Sequence, residues 1–357
     1  VRFAVKFPHA ASEDAWAIVG ISRPVKLVQS NLALAVSDEW RSMDEAHSTE
    51  MSARTPLNVF ITIDTEIWCD GWDDIDSKFP NAFRTYIHGP TPRGDFGLPY
   101  QLRMFDEHDL RAVFFVEPLF TSRFGTAPLE EIVGMIRDRQ QSVELHLHTE
   151  WVDEGRPPIL PHITSKRQNI KDYSLDEQCE LLGTGCRLLS DAGSGPINAF
   201  RAGSFAANDD TIEAVARSGI HVDASYNESA ESCAIESRGS MHHPISMGEV
   251  IEVPMTNFVD GLGRLRPAQI TACSFDEIRS ILIDAYEKGW DSIVLLTQSF
   301  ELLSPDKSRD DGVVVRRFRR LCEFLAENRD RYVTRDFGSF QPKPVHTDQP
   351  LTCGPLP

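Results

Sequence analysis

The chain has no C-x-x-C pair, no run of 18 apolar residues, no glycine-rich phosphate loop, no internal repeat and no surplus of positive charge. Each absence excludes something. The seven cysteines (Cys69, Cys179, Cys186, Cys233, Cys273, Cys322 and Cys353) are odd in number and scattered. That argues against a disulfide framework or a zinc knuckle and fits a reducing compartment. Without a long apolar run, no spanning helix is expected. A formal net charge of −18 repels nucleic acid and anionic membrane alike, so neither is an expected partner. A neutral sugar remains compatible with that charge. The apolar stretch from Ala15 to Ile21 is short and follows Glu13 and Asp14. No signal peptide is expected there, and a cytoplasmic location is.

What is present fits a globular protein. The 357 residues are 41% hydrophobic and 25% charged, enough for one large domain or two smaller ones. Residues 1–55 carry no sustained period and are expected to form a partly disordered N-terminal extension. Residues 56–340 are expected to form the main domain, and 341–357 a Pro-rich, poorly ordered tail. From Leu57 onward short apolar runs alternate with amphipathic stretches of helical length. Strands are predicted at Asn58–Ile63, Ala112–Val116, Val143–His148, Asn198–Arg201, His221–Ala224, Val250–Val253, Ser292–Thr297 and Tyr332–Thr334. Helices are predicted at Leu98–His108, Leu129–Gln140, Leu175–Asp191, Asp209–Ser218, Phe275–Lys288 and Val313–Asn328. Alternation of this kind implies an α/β fold with a parallel sheet. Runs such as AVFFV and SIVLL lack polar alternation, as strands buried on both faces do. Seven or eight such units close most simply into a barrel, with an open doubly wound sheet as the alternative.

Two polar pairs interrupt this apolar pattern. Asp64 and Glu66 end the run LNVFITIDTE, and His146 and His148 sit in SVELHLHTEW. Residues two apart on a strand share a face. Carboxylates and imidazoles at buried strand ends are costly unless they bind a metal or do chemistry. A carboxylate with two histidines leaves a coordination position open for water, as catalytic zinc sites do. The remaining carboxylate could accept the water proton. The bland alternatives are a capping Asp, a solvated Glu and two core histidines. Arg201, at the end of a short apolar run, could orient a carboxylate through a bidentate pair or be an ordinary surface arginine. Asp223 could orient another group, belong to a substrate rim, or form a turn. The segment Cys69–Gly97 is expected to be a long site-building loop. Trp68, Trp72 and Tyr86 in or near it, and Trp151, could stack on sugar faces or pack the loop onto the barrel.

In order and spacing these segments resemble the polysaccharide deacetylases, typified by chitooligosaccharide and peptidoglycan N-deacetylases. The resemblance rests on Thr62-Ile63-Asp64-Thr65-Glu66, on Tyr100 to Val116, on Glu144 to Thr149, on Phe200 to Ser204 and on Asp223 to Tyr226. It implies a distorted (β/α) barrel of about seven parallel strands. It implies one divalent metal ion, zinc as first choice, and hydrolysis of an N- or O-acetyl group on a carbohydrate by metal-bound water. Carried onto this chain, Asp64 is the base, Glu66 the nearest carboxylate ligand, His148 the first histidine ligand and Arg201 the holder of the base. Asp223 joins the catalytic set, and Trp68, Trp151 and Gln298 the substrate-binding set.

The chain departs from the family pattern at three places. The usual second histidine, four residues on, is Val152 here. His146 is the preferred substitute, with Glu150 in reserve. The usual adjacent aspartates are replaced by Asp64-Thr65-Glu66, so the roles of Asp64 and Glu66 could be exchanged. The histidine that commonly protonates the leaving group is replaced by Gln298. Glutamine can donate a hydrogen bond but has no useful proton to transfer, and general acid catalysis is worth about 10²–10⁴-fold. His242 or His243 could substitute. Loss of the acid favours an O-acetyl over an N-acetyl substrate, because an amine leaving group needs protonation more. It also sustains a second expectation, a glycan-binding pseudoenzyme. A third, a metal-free glycoside hydrolase using Asp64 and Glu66, leaves the histidines unexplained.

Overall fold

The computed structural model describes residues 54–236, 241–343 and 349–353. Nearly all of the expected N-terminal extension therefore lies outside the described residues, as does part of the tail. The architecture is a curled, mostly parallel sheet with helices packed on it. Its strands are β1 (Leu57–Thr65), β2 (Val113–Val116), β3 (Ser142–Leu147), β4 (Ala199–Ala202), β5 (Val222–Asp223), β6 (Ile245–Met247), β7 (Val250–Glu252), β8 (Ser292–Gln298) and β9 (Tyr332–Thr334). The order across the sheet is β8-β1-β2-β3-β4-β5-β7-β6, with β9 also pairing β1. Seven of the strands on this path run parallel and only β6 is antiparallel. This is the distorted (β/α) barrel expected from the sequence. Along the outer side of β8 the segment 268–270 continues the pairing. Ile270 N–H donates to Leu296 O at 2.9 Å, and Leu296 N–H to Ala268 O at 3.0 Å.

The longer helices are α1 (Ile75–Phe83), α2 (Leu98–Glu107), α3 (Ala127–Asp138), α4 (Leu175–Asp191), α5 (Asp209–Arg217), α6 (Phe275–Glu287) and α7 (Gly312–Glu327). Local chemistry explains their starts. Ser174 and Ser274 each open a helix with a capping box to Glu177 and Glu277, and Asp311 caps α7. None of them is long and apolar enough to cross a membrane. Six match predicted helices to within two residues. α1 does not: it lies inside the segment expected to be a loop, with Pro80 in its interior. Leu351–Thr352 of the expected tail pair with Phe258 and Val259, and Leu351 is fully buried.

The alternation along β1 sets what the inner face carries. Phe60, Thr62, Asp64 and Glu66 point the same way. At the lower end the Phe60 ring stacks on Phe337 at 4.4 Å and meets Phe340 at 4.9 Å. Aromatics thus fill one end of the sheet's inner face, and the polar groups collect at the C-terminal ends of the strands. Long loops meet there, the usual place for a site in such folds.

Glu144 bolts β3 to the start of β4. Its carboxylate accepts from the N–H groups of Asn198 at 2.6 Å and Ala199 at 2.8 Å. Burial nevertheless pushes its pKa from 4.5 up to about 7, the hydrogen bonds offsetting only part. The folded chain then holds a proton that the unfolded chain has released between those values, so its contribution to stability declines as pH rises through that window. The metal-free protein should unfold at lower urea at pH 8 than at pH 5, and Glu144→Gln should shrink that difference.

Candidate metal centre

β1 and β3 bring three potential ligands together. One ligand atom each from Glu66, His146 and His148 lies within 4.8 Å of the others, and all three side chains are buried. His148 Nε2 is 2.5 Å from Glu66 Oε2, and His146 Nε2 is 3.6 Å from the same oxygen. His146 Nδ1 donates to the Arg201 carbonyl at 2.8 Å. A carbonyl only accepts, so the proton sits on Nδ1 and Nε2 presents its lone pair. The Nδ1 of His148 faces Glu150 Oε2 at 3.4 Å. Glu150 rides on the 3-10 turn Thr149–Glu154. Lys166 ties this turn down, donating to Glu150 O at 2.8 Å and to Asp153 and Glu154 at 2.7 Å each, with its ammonium 3.7 Å from the Trp72 ring centre. Glu150 thus sits on the far side of His148 from Glu66, placed to orient the ring, while His146 faces Glu66.

Charge at the centre is finely balanced. Burial alone would push the Glu66 carboxyl up. The positive field of His148 and the closeness of both imidazoles outweigh it and hold Glu66 well below the ordinary carboxylate range. Burial likewise disfavours a charged His148, yet Glu66 and Glu150 keep its pKa well above the usual imidazole value. Glu66 Oε2 is buried and receives no well-directed hydrogen bond. Two imidazole nitrogens and an underused carboxylate oxygen are the donor set that a divalent cation takes. The residues present fit the metal that the sequence implies. On binding, the metal would displace the proton that His148 holds.

Asp64 stands apart from this trio. Arg201 Nη1 donates to Asp64 Oδ1 at 2.7 Å and to Thr62 Oγ1 at 3.0 Å, and its Nε donates to Ala224 O at 3.2 Å. The pairing is through one nitrogen, not the bidentate fork considered from the sequence. The guanidinium lies 4.2 Å from the Phe115 ring centre and is almost fully buried, so it is no surface arginine. Gln298 pairs beside Asp64 in the β1–β8 register. Its Nε2 donates to Glu66 Oε1 at 2.9 Å, so its amide holds the carboxylate.

Several expected site residues lie elsewhere. Trp151 is only 1% exposed; its ring is enclosed by Trp72, Phe120 and Phe124. It packs and has no free face for a sugar. Asp223 is fully buried and does not touch Asp64's carboxylate: its oxygens accept from Ser225 N and Oγ at 3.1 and 2.8 Å, and Ser225 Oγ accepts from Ala202 N. Burial raises the pKa of Asp223, and burial together with the Asp223 charge raises that of its neighbour Glu252. This pair braces the backbone beside Arg201 and takes no part in the reacting set. His242 and His243 pack against Trp290, with ring centres 6.2 and 4.4 Å away. Trp290 precedes the N-terminal end of β8, about 20 Å of strand from Gln298, so neither histidine serves the centre. Trp68 remains: it is half-buried with its ring edge-on to His148 at 4.7 Å. It also lines a cleft of about 480 Å³ with Cys69, Asp70, Tyr86, Asp306 and Lys307.

One buried acid escaped the sequence reading. Glu117 directly follows AVFFV, the same strand-end position that drew notice to Asp64, and its N–H donates to Thr65 O at 3.0 Å. Burial pushes its pKa up to about 8, against the hydrogen bond from Leu119 N–H.

Gly203 lets the chain pass close to His148. A Cβ there would stand 2.7 Å from Leu147 O and 2.8 Å from His148 Nδ1. Gly203→Ala should displace the ring and weaken divalent-metal affinity by about 10–100-fold, the usual scale for disturbing a ligand's support. Calorimetric zinc titration would measure it.

No protein-family model matches the sequence, and comparison with curated proteins finds no match. Solved structures do match. A protein assigned as a polysaccharide deacetylase from Mycobacterium smegmatis superposes with a TM-score of 0.53 at 16% identity, covering 80% of this chain and 88% of that one. A family 4 carbohydrate esterase from Streptomyces lividans, in complex with acetate, gives 0.39 at 13% identity over 79% and 92%. A pseudoenzyme of the same family from Bacillus anthracis gives 0.40 at 14% over 79% and 64%. The first of these superpositions, together with the strand order, shows that the chain has the fold of the polysaccharide deacetylases.

Proposed function

We propose that this protein is a metal-dependent hydrolase that removes acetyl groups from a carbohydrate. The observation that carries the reading is the meeting of Glu66, His146 and His148 at the strand ends, two residues along the chain from a carboxylate that Arg201 holds separately. A divalent metal, zinc as first choice, would polarise the acyl carbonyl and lower the pKa of water.

The chain's own groups divide the remaining work. Asp64 accepts the proton of the attacking water. Arg201 fixes the orientation of Asp64 through Oδ1, which leaves Oδ2 for that task. Gln298 holds Glu66 in place and Glu150 orients His148. Trp68, between His148 and the cleft, offers the sugar an apolar surface. Either an N- or an O-acetyl group suits this arrangement.

A second reading has one observation in its favour. The Gln298 amide is engaged with Glu66 and has no proton to give, which suits a glycan-binding protein without turnover. A metal-free glycosidase fits less well, because Glu66 is committed to the two histidines and Asp64 to Arg201.

Elemental analysis of wild type and His148→Ala should find about one equivalent of zinc or a similar ion, as a single catalytic site requires, and its loss in the variant. Wild type should release acetate from acetylated sugars only when metal-loaded. Asp64→Asn should retain the metal and lose about 10²–10⁴-fold in kcat, the range for removing a general base. A protein that binds sugar and metal but releases no acetate would establish the binding reading instead.

A further inference from the structure

We propose that the cleft beside the metal centre selects a sugar that carries a negative charge, a carboxylate or a phosphate, and that Lys78 and Lys307 read it. The proposal rests on the hydrolase reading above and gives it a substrate class.

Two residues tie the cleft to the centre. Trp68 meets the His148 ring at 4.7 Å and also forms part of the cleft wall. Tyr86, another wall residue, accepts through its carbonyl from Ser299 Oγ at 3.1 Å, one residue after the Gln298 that holds Glu66. The volume of about 480 Å³ falls in the range of small-molecule sites, about 300–1,000 Å³. A sugar with its acetyl group at the metal and a ring along Trp68 would extend into this space.

Two ammonium groups line it. Lys78 projects half-buried from α1, and its Nζ donates to the Asp70 carbonyl at 3.3 Å. Lys307 stands on a turn that is closed by its own backbone. Ser304 N–H donates to Arg309 O at 2.8 Å, and Lys307 N–H to Ser304 O at 2.7 Å. Lys307 has a φ of 56°, a conformation that side-chain-bearing residues adopt rarely. Asp306 and Ser308 on either side are exposed, but Lys307 is half-buried. Its ammonium lies 4.6 Å from the ring centre of Tyr86 and 5.4 Å from that of Phe300. Aromatic faces hold an ammonium without consuming its hydrogens, so its three donors stay available.

What these lysines lack is an acid. In a chain with 54 acidic and 36 basic residues, pairing is the ordinary fate of a lysine. Lys166 and Lys288 each hold a carboxylate at 2.7 Å, whereas among the described residues neither Lys78 nor Lys307 makes an ion pair. The two carboxylates of the cleft wall do not fill the gap. Asp306 is spent on its own turn, accepting from Ser304 Oγ at 2.6 Å and from Ser308 N–H and Oγ at 3.2 and 3.0 Å. Asp70 is exposed and meets Lys78 through its backbone carbonyl. Two half-buried cations without anions, facing one cleft, are the complement of an anionic substituent.

Calorimetric binding to the metal-free protein tests this, because no metal can then hold the anion itself. The probes are N-acetylated chitotriose and O-acetylated mannotriose, each also oxidised to the carboxylate at C6 and each also phosphorylated at C6. In at least one series a charged form should bind roughly tenfold tighter than its neutral parent at low salt, the scale of one hydrogen bond to a charged group. The advantage should shrink in strong salt. The carboxylate and phosphate arms decide between the two anions. Charged forms that bind no better than neutral ones in both series, or no binding by any probe, would overturn the proposal. Lys78→Met and Lys307→Met should each remove most of the advantage and weaken the neutral parent less, and Lys307→Arg should keep it. Equal losses on charged and neutral probes would reveal a structural role and refute the assignment. Lys343→Met removes a charge beside Asp291, at the opposite end of β8 from Gln298. It should leave the advantage intact; a matching drop there would reduce the preference to overall charge and refute it too. Metal-loaded wild type should release acetate from the preferred probe. Charge selection through both lysines without acetate release would leave the cleft assignment standing and sink the hydrolase reading instead.

Discussion

A carboxylate inside an apolar sheet needs a cation that stays with it. Asp64 has Arg201, and most of the inner face follows from that pair. A buried ion pair of this kind contributes little net stability, but removing one member leaves an uncompensated charge and costs about 3–5 kcal/mol. Arg201 is in turn held by Thr62, the Ala224 carbonyl and the face of Phe115. Its own carbonyl accepts from His146. One residue therefore positions Asp64 with its side chain and the His146 imidazole with its backbone. The Asp223–Ser225 hydrogen bonds sit one residue further along the same strand junction. They hold the backbone from which Arg201 projects.

Partnering separates the two acids of β1 although both share one strand face. Asp64 takes a permanent cation that cannot deprotonate, and Glu66 takes two imidazoles that can. Only the second environment can trade its protons for a metal. The identity of residue 298 matters in this setting. A histidine there would add a third imidazole near Glu66, whereas Gln298 contributes a neutral amide donor and leaves the two-histidine set undisturbed.

Most of the sheet and all but one of the main helices could be read from the sequence, because strands buried on both faces leave unbroken apolar runs such as AVFFV. The three-residue strands β6 and β7 and the pairing of 257–259 with 265–267 are too short to leave a period. Of these only β7 was anticipated, as the predicted strand Val250–Val253. α1 was hidden by Pro80 and by the Asp and Gly residues that precede it, all of which read as turn signals. Within the site, the spacing of Asp64 with Glu66 and of His146 with His148 was visible, since a two-residue interval fixes a shared face. What spacing cannot carry is register between distant strands. That register decided that Trp151 is enclosed, that Asp223 meets Glu252, that His242 and His243 lie at the wrong end of β8, and that Glu117 sits beside Glu66.

The margins of the sheet bear on how this molecule meets its own copies. At one side the last strand, β6, is three residues long and runs against its neighbours. At the other, the backbone of 268–270 already occupies the hydrogen-bonding groups of Leu296. A parallel sheet that stops short of closure would otherwise expose two rows of peptide groups, each a template for a strand from another chain. Here a visiting strand finds three reversed residues on one side and an occupied row on the other. The curled sheet can therefore stay open without becoming the seed of a ribbon.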